Sequence, residues 1–409
     1  MEKRIFSVLF IAVFATMLGT SIIEPFMGIY AGSLGANGVL IGLIFGSFTL
    51  SRAIFTPFIG RWSDKKGRKN LLVVGLAGYA ILSFFYVHAS TAASLIMIRF
   101  FHGLASAMVL PIAMAYIGDI APKNQEGKYL GTFTISFFMG LALGPVIGGT
   151  LHDLLSMNAA FYAMGAISFF SLLMLVFMLP EIDAYKNAKL YSFREILSDK
   201  TMQAMFLFRM SNAYGISAVM AFLPLLAQAI SVTVFQIGII VTSNLLISSL
   251  FQGYFGAIAD KSDKVAMMVS GSMMIFVALL LIPLSTSFYT LLLFNLLMGL
   301  GSAISIPANI AVTTQLGKKL GMGSVMGLFN TAFGIGGGIG PIIAGIIMVA
   351  TSLSFVFISS SIIIFSGTAL FYYLMRNNIG KNRLHPKNEG CHQNPLSGCR
   401  TSFEHANVL

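Results

Sequence analysis

The sequence predicts an all-α membrane protein of twelve transmembrane helices, arranged as two pseudo-symmetric six-helix bundles. Three observations support this fold class. Hydrophobic residues make up 56% of the 409 residues and charged residues only 10%, whereas about 25% of a soluble domain is charged. The apolar residues form twelve runs of membrane-spanning length. The second half of the chain also repeats a pattern of glycines and a proline from the first half.

The repeat is clearest in two glycine-rich stretches, Gly131–Gly149 and Gly327–Gly345. At a constant offset of 196 residues, the following positions coincide: Gly131 with Gly327, Gly140 with Gly336, Gly144 with Gly340, Pro145 with Pro341 and Gly149 with Gly345. Self-similarity at one long offset is typical of a chain built from repeated units. An even number of spans in each copy predicts parallel repeats, related by an axis along the membrane normal.

Each apolar run is long enough for a helix that crosses the bilayer, which takes about 20 residues. In the first half we expect spans over Ile5–Tyr30, Gly38–Ile59, Leu71–Val87, Ala92–Gly118, Tyr129–Thr150 and Met157–Leu179. In the second half we expect Thr201–Ala229, Phe235–Ile258, Val265–Ser285, Tyr289–Thr314, Ser324–Ala350 and Ser352–Met375. These spans predict a first bundle over 1–180, a linker over 181–200, a second bundle over 201–375 and a disordered polar tail over 376–409.

The cationic residues predict the orientation. All 25 Lys and Arg residues except Arg52, Arg99 and Arg209 lie at the termini or in connections on one side of the predicted membrane. Cytoplasmic connections collect Lys and Arg. We therefore expect both termini and the linker in the cytoplasm, and the protein in the cytoplasmic (inner) cell membrane. The net charge of +11 follows from this topology and does not indicate a nucleic-acid partner.

The connection after the second predicted span reads GRWSDKKGRK over residues 60–69. Gly60 permits a close helix approach and Gly67 a tight turn. The segment resembles the signature of this loop in the major facilitator superfamily, G-x-x-x-D-x-x-G-R-K, at Gly60, Asp64, Gly67, Arg68 and Lys69. A basic loop that only sets the topology is the simpler interpretation.

The resemblance implies the major facilitator fold and a latch that holds the two bundles together in the outward-facing state. It also implies that Asp119, at the end of the fourth span, is the acidic partner of the loop's arginines. The second half keeps a degenerate copy of the motif at Gly256 and Asp260, with Asp263 where the family has glycine.

The first glycine stretch contains three glycines four residues apart, which form a flat ridge against which another helix can pack. Its proline permits a bend. The stretch resembles the family's antiporter motif, G-x8-G-x3-G-P-x2-G-G, at Gly131, Gly140, Gly144, Pro145, Gly148 and Gly149. The resemblance implies a drug/proton antiporter, while a packing surface without influence on transport direction is the alternative.

Two opposite charges lie inside the predicted spans of the first half. Glu24 is the one acidic residue well inside a span, and both Glu24 and Arg99 lie about 10 Å from the outer end of their helices. We expect the two to face each other and Glu24 to carry a proton, because burial favours the neutral carboxyl and Arg99 favours the carboxylate. A fixed structural ion pair is the alternative.

The fourth predicted span reads RFFHG over 99–103 and resembles the family motif R-x-x-Q-G, with His102 in place of glutamine. His102 either titrates or serves as a neutral hydrogen-bonding group, and the adjacent cation favours the neutral form. Asn295 occupies the pseudo-symmetric position of Arg99, so the charge is confined to the first half.

Other polar and adaptable residues lie inside the spans. Arg52 and Arg209 lie about two turns from the cytoplasmic ends of their helices and can extend to the interface. Several amides, including Asn244, either line a cavity or join helices. Met and Phe side chains on the first, fourth, seventh and tenth spans can form an adaptable apolar pocket.

The sequence contains no phosphate-binding G-x-x-x-x-G-K-[ST] motif, so we expect neither ATP nor another cofactor, and no enzymatic activity. It shows no metal-ligand spacing either. The resemblance implies a monomeric secondary transporter that exports small lipophilic or drug-like molecules in exchange for protons by alternating access. The alternatives are a proton-coupled transporter of sugars or metabolites and a membrane sensor that does not transport.

Overall fold

The computed structural model describes residues 2–122, 126–181 and 193–384, and the chain is helical over nearly all of these ranges. Twelve helical segments of this part are long and apolar enough to cross a membrane, which confirms the predicted number. The first six spans consist of α1 (Glu2–Ile23) with α2 (Met27–Ser33), then α3 (Gly38–Lys66), α4 (Lys69–Val87), α5 (Ala92–Ile120), α6 (Glu126–Leu154) and α7 (Met157–Met178). After a short helix, α8 (Phe193–Ser198), the other spans are α9 (Lys200–Ala229), α10 (Val234–Lys261), α11 (Lys264–Leu281), α12 (Phe288–Leu320), α13 (Met322–Ala350) and α14 (Leu353–Leu384).

Side-chain caps explain where several spans begin. Asn37 accepts a hydrogen bond from the Leu40 amide at the start of α3. Thr91, Thr233 and Ser287 form capping boxes that begin α5, α10 and α12. Such caps satisfy amide groups that have no partner in the first turn of a helix. All four lie on the side of the bundle opposite to the Lys- and Arg-rich connections. These two sides are called the basic side and the opposite side below.

On the basic side the helices continue beyond the apolar runs. The second span was expected to end at Ile59, but α3 continues to Lys66 and ends where Gly67 adopts φ +90°. The last helix reaches Leu384 rather than Met375, so the first residues of the predicted tail are helical. Polar residues keep their helical hydrogen bonds in water, and hydropathy therefore marks the membrane and not the helix end. The remainder of the predicted tail, 385–409, and most of the linker lie outside the described residues.

The two halves are built alike. In the first half α1 packs on α6 and α3 packs on α5, and in the second half α9 packs on α13 and α10 packs on α12. Between the halves, α3 contacts α13 and α6 contacts α10. Each pair thus recurs at the 196-residue offset, as expected for two copies of one bundle.

The contacts between the halves lie towards the opposite side. An added Cβ at Gly38 would meet the carbonyl of Gly345 at 2.8 Å, and one at Gly149 would meet the carbonyl of Val234 at 2.7 Å. Nearer the basic side, an added Cβ at Gly60, Gly253 or Gly327 would meet no atom within 4 Å. The protein is therefore closed on the opposite side, and the close helix approach predicted at Gly60 is not seen in this state.

Candidate functional site

A buried ion pair joins the first and fourth spans. Arg99 donates two parallel hydrogen bonds to Glu24, from Nη1 to Oε2 at 2.9 Å and from Nη2 to Oε1 at 2.8 Å. Arg99 is fully buried, whereas the Glu24 side chain keeps 20% of its surface exposed. The structure thus brings together the two charges that the sequence placed at one depth, and only the carboxylate is partly accessible.

The surroundings of Arg99 keep the guanidinium in place. Its Cζ lies 4.3 Å from the centre of the Phe48 ring and 5.5 Å from that of Phe45. Its Nε donates a long hydrogen bond of 3.4 Å to the Ile44 carbonyl. Aromatic faces attract a desolvated cation by about 2 kcal/mol. Arg99 therefore has contacts with α3 that do not depend on Glu24.

Glu24 lies at a break in the first span. The α-helix ends at Ile23, and a 3-10 turn over Glu24–Phe26 joins α1 to α2. Pro25 within this turn has no amide hydrogen, so the α-helical hydrogen-bond pattern is interrupted beside the carboxylate. Breaks of this kind inside a membrane span are found where the backbone is buried in protein or lines a cavity.

His102 is buried among aromatic rings next to the ion pair. Its Nδ1 and the hydroxyl of Tyr86 share a hydrogen bond of 2.9 Å, and its ring packs edge-to-face on Phe48 and Tyr79. Nε2 is buried and has no hydrogen-bond partner among the described residues. Within the described residues, the structure therefore joins His102 to Tyr86 and not to Glu24.

The pseudo-symmetric site in the second half is a cavity. Asn295 lies opposite Asn244, whose Nδ2 donates a hydrogen bond of 2.7 Å to the Asn295 carbonyl. At the 196-residue offset Asn295 replaces Arg99, Asn244 replaces Phe48, Met220 replaces Glu24 and Met298 replaces His102. All four line a partly open, mainly apolar cavity. The sequence predicted an adaptable pocket in general terms, but not its position.

The glycine ridge on α6 packs against α1. An added Cβ at Gly140 would meet Leu18 N at 2.9 Å, and one at Gly144 would meet the Leu18 carbonyl at 2.8 Å. Ser21 also donates a hydrogen bond of 3.0 Å to the Gly140 carbonyl. The ridge therefore supports the segment of α1 that leads into Glu24.

The motif also contributes to the contact between the halves. The Pro145 carbonyl lies against Gly238 of α10, and Gly149 lies against Val234. Gly148 faces Ile22 and Phe26 of the first span. Gly131, the first glycine of the motif, has open space around it and takes no part in these contacts.

The predicted latch residues form contacts inside the first bundle. Arg68 Nε donates to Asp119 Oδ2 in a largely buried ion pair. The Lys69 amide donates to Glu181 Oε1 at 3.3 Å, and Lys69 Nζ donates to the Val176 carbonyl at 3.0 Å. The side chain of Asp64 lies outside the described residues. Glu181 was not predicted, although an acidic residue directly after a span on the basic side is a usable signal.

The degenerate copy in the second half lacks the corresponding ion pair among the described residues. Asp260 is exposed, and an added Cβ at Gly256 would meet only Pro307, at 3.9 Å. Asp263 caps α11 by accepting from the amides of Val265 and Ala266. The residue that departs from the family pattern thus has a structural role as a helix cap.

Comparisons with known proteins agree with this architecture. The sequence profile of the Major Facilitator Superfamily matches residues 9–214 and 205–403. An uncharacterized MFS-type transporter of Methanocaldococcus jannaschii is 35% identical over 354 residues, covering 84% of this chain and 91% of the relative. The quinolone resistance protein NorA of Staphylococcus aureus is 27% identical over 353 residues, covering 84% and 90%.

A solved structure shows the same fold. The inward-facing, unoccupied structure of a bacterial homolog of the human lysosomal transporter Spinster superposes with a TM-score of 0.80 at 13% identity. The superposition covers 93% of this chain and 98% of that chain.

Proposed function

Because the chain belongs to the Major Facilitator Superfamily, and is therefore a transporter and not an enzyme, we propose that it exports small drug-like molecules in exchange for protons. Protons enter as the substrate leaves, and the two bundles alternate in opening to either side. By the distribution of Lys and Arg, the basic side is the cytoplasmic side. The cavity of the closed-outside state then receives substrate from the cytoplasm.

The Glu24–Arg99 pair is the observation that carries this proposal. Glu24 is the one acidic residue well inside a span, and acidic residues in membrane spans are typical of proton pathways. Its carboxylate is partly exposed, whereas Arg99 is fully buried. A proton that reaches Glu24 removes the charge from one partner and weakens the bidentate bond.

The consequences for the helices follow from the contacts on each side. Arg99 keeps its aromatic contacts with α3 after Glu24 is protonated. Glu24, at the 3-10 turn, is then free to move with α2. Proton binding thus weakens the contact that holds the first span against α5. A contact that differs between the protonated and deprotonated states is what links proton binding to a conformational change.

Two further observations support export of drug-like molecules. The relative NorA is named for quinolone resistance. The antiporter-type glycine ridge packs directly on the segment that leads to Glu24. A ridge in this place allows α1 and α6 to pack at close range, because α6 presents glycines there to the side chains of α1.

Reconstitution tests the proposal with Glu24→Gln, which keeps the shape and hydrogen bonding of the side chain but cannot titrate. We expect this variant to bind and exchange substrate across proteoliposomes at equal pH and to lose export driven by a pH gradient. Glu195→Gln, the same substitution at an exposed carboxylate of α8 outside the spans, is the matched control and keeps pH-driven export. Wild-type pH-driven export by Glu24→Gln would show that the proton does not bind at Glu24.

A further inference from the structure

Arg209 is a half-buried cation that the proposed proton site does not use. It lies on α9, and its Cζ is 4.7 Å from the centre of the Phe329 ring and 4.5 Å from that of Phe333. Its Nε is buried without a hydrogen-bond partner among the described residues. Two aromatic rings of α13 thus stack on the guanidinium. Among the described residues no carboxylate neutralises its charge.

Arg209 lies on the face of α9 that lines the second-half cavity. Ile216 and Met220, which line that cavity, follow Arg209 by two and three turns on the same face of the helix. Because each turn rises about 5.4 Å, Arg209 lies about 10 Å below the start of the cavity, towards the basic side. A molecule that enters from the basic side therefore passes Arg209 before it reaches the apolar cavity.

A second cation lies across the boundary between the two halves. Arg52 is partly exposed on α3, with its Cζ 5.7 Å from the centre of the Phe48 ring. The next residue, Ala53, contacts Gly334, which follows the Phe333 that stacks on Arg209. Arg52 on α3 and the Phe333 that stacks on Arg209 from α13 thus lie on two helices that meet at this contact between the halves.

Among the described residues no carboxylate forms an ion pair with either arginine, although Glu24 attracts Arg52 from a greater distance. The spans of the second half contain no Asp or Glu apart from Asp260 at the basic end of α10. Glu24 is already held by both terminal nitrogens of Arg99. Among the described residues neither Arg52 nor Arg209 forms an ion pair. Unpaired arginines inside a membrane span are costly and are kept for a function.

We propose that Arg209, with Arg52 on the facing wall, binds the carboxylate of the transported molecule, whose apolar body occupies the cavity at Met220 and Met298. This inference rests on the proposed function and names its substrate class: amphipathic organic anions or zwitterions with the charge about 10 Å from the apolar body. Arginine forms charge-assisted hydrogen bonds with carboxylates. Lipophilic cations, in contrast, find no carboxylate in the second-half spans except Asp260 at the basic end of α10.

The test compares the binding of 8-(dansylamino)octanoic acid, whose carboxylate is separated from the apolar dansyl group by an extended alkyl chain, with that of its ethyl ester. Both are titrated into the purified protein in phosphatidylcholine nanodiscs, with empty nanodiscs subtracted. We expect the acid to bind about tenfold or more tightly than the ester, as for one charged hydrogen-bonding partner. Arg209→Gln should remove this preference and leave ester binding unchanged. Arg209→Lys should restore part of it.

Lys200→Gln is the matched control, because it removes a cation from the exposed start of the same helix, and it should keep the preference. Unchanged ester binding shows that the Arg209→Gln variant is folded. If Arg209→Gln does not fold, the affinities of acid and ester are compared in Arg52→Gln and Arg209→Lys instead. Equal affinities of acid and ester, or equal weakening of both by Arg209→Gln, would overturn the proposal. Displacement of the acid by added phosphatidylglycerol would overturn it too, since a lipid headgroup would then be the occupant. The assay uses no pH gradient, so a failure of proton coupling is detected separately with Glu24→Gln.

Discussion

The two bundles share one backbone plan but differ in what they place at the same position. In the first bundle the site holds an ion pair, an aromatic ring and a histidine, which together fill the space. In the second bundle the equivalent residues are Met220, Asn244, Asn295 and Met298, and they leave a cavity. A fold duplicated along the chain can thus place an ion pair in one half and a space for an apolar group in the other.

The physical reason lies in the cost of charge in a low-dielectric interior. The bidentate Glu24–Arg99 pair compensates for its own desolvation only because both partners are present at good geometry. Flexible Met side chains in the second half have no such constraint and adapt to ligands of different shape. Substitutions that exchange or remove these features test whether the difference between the halves is functional.

The largest effect is expected from Arg99→Leu. The change leaves the Glu24 carboxylate without its partner, and breaking a buried pair costs about 3–5 kcal/mol. We expect strongly reduced thermal stability in detergent and no pH-driven export. Asn295→Leu, at the same position of the second bundle, should lose only the hydrogen bond from its Nδ2 to the Leu291 carbonyl and keep the dependence of export on the pH gradient, even if its place in the cavity lining lowers the rate. Similar losses of stability and of pH-driven export in both variants would show that the charged position of the first bundle has no special role.

The next largest effect is expected from Gly144→Leu. A side chain at this position overlaps Ser21 and the backbone of Leu18 and Ile22, and overpacking of this kind costs about 1–3 kcal/mol. Because the displaced segment leads into Glu24, the variant should lose turnover as well as stability. Gly131→Leu changes a glycine of the same motif that has open space and should be tolerated. A stable and fully active Gly144→Leu protein would contradict the role of the ridge.

Much of the fold could be predicted from the sequence, because hydropathy and the repeat depend only on residue type and spacing. The depth of Glu24 and Arg99 predicted that they face each other, since a helix rises by a fixed distance per residue. The stacking of Phe329 and Phe333 on the Arg209 guanidinium could not be predicted in this way. It depends on how far α9 and α13 are rotated towards each other, and packing between helices sets that rotation.

Two other features could not be predicted from the sequence either. The state of the molecule, closed on the opposite side, is one of several packings of the same chain, and residue patterns alone do not select among them. The cavity at Met220 and Met298 arises where Asn295 and Asn244 are shorter than their first-bundle counterparts, Arg99 and Phe48. Its position becomes visible only when the two halves are compared in three dimensions.

A moderate effect is expected from Asp119→Asn, which removes the charged acceptor of Arg68. A hydrogen bond to a charged group contributes about 2 kcal/mol, so stability should fall by about that amount and transport by a few-fold. Asp260→Asn alters the exposed acid of the degenerate second copy and should have little effect. Thermal unfolding and transport are measured for both variants. If Asp119→Asn behaves like Asp260→Asn, the loop of the first bundle has no greater role than its copy.

The smallest effect is expected from His102→Met, which gives the first bundle the residue that the second bundle has at this position. The replacement removes one buried hydrogen bond, to the Tyr86 hydroxyl, which costs about 1 kcal/mol. The two side chains have similar volumes, so the aromatic contacts with Phe48 and Tyr79 should adjust without a large cavity. Since His102 contacts Tyr86 and not Glu24, pH-driven export should persist with an unchanged dependence on the gradient. Tyr86→Phe removes the same hydrogen bond from the other partner and should match it in stability and transport. Loss of pH-driven export in His102→Met, with transport at equal pH retained and Tyr86→Phe active, would place the proton on His102 instead of Glu24.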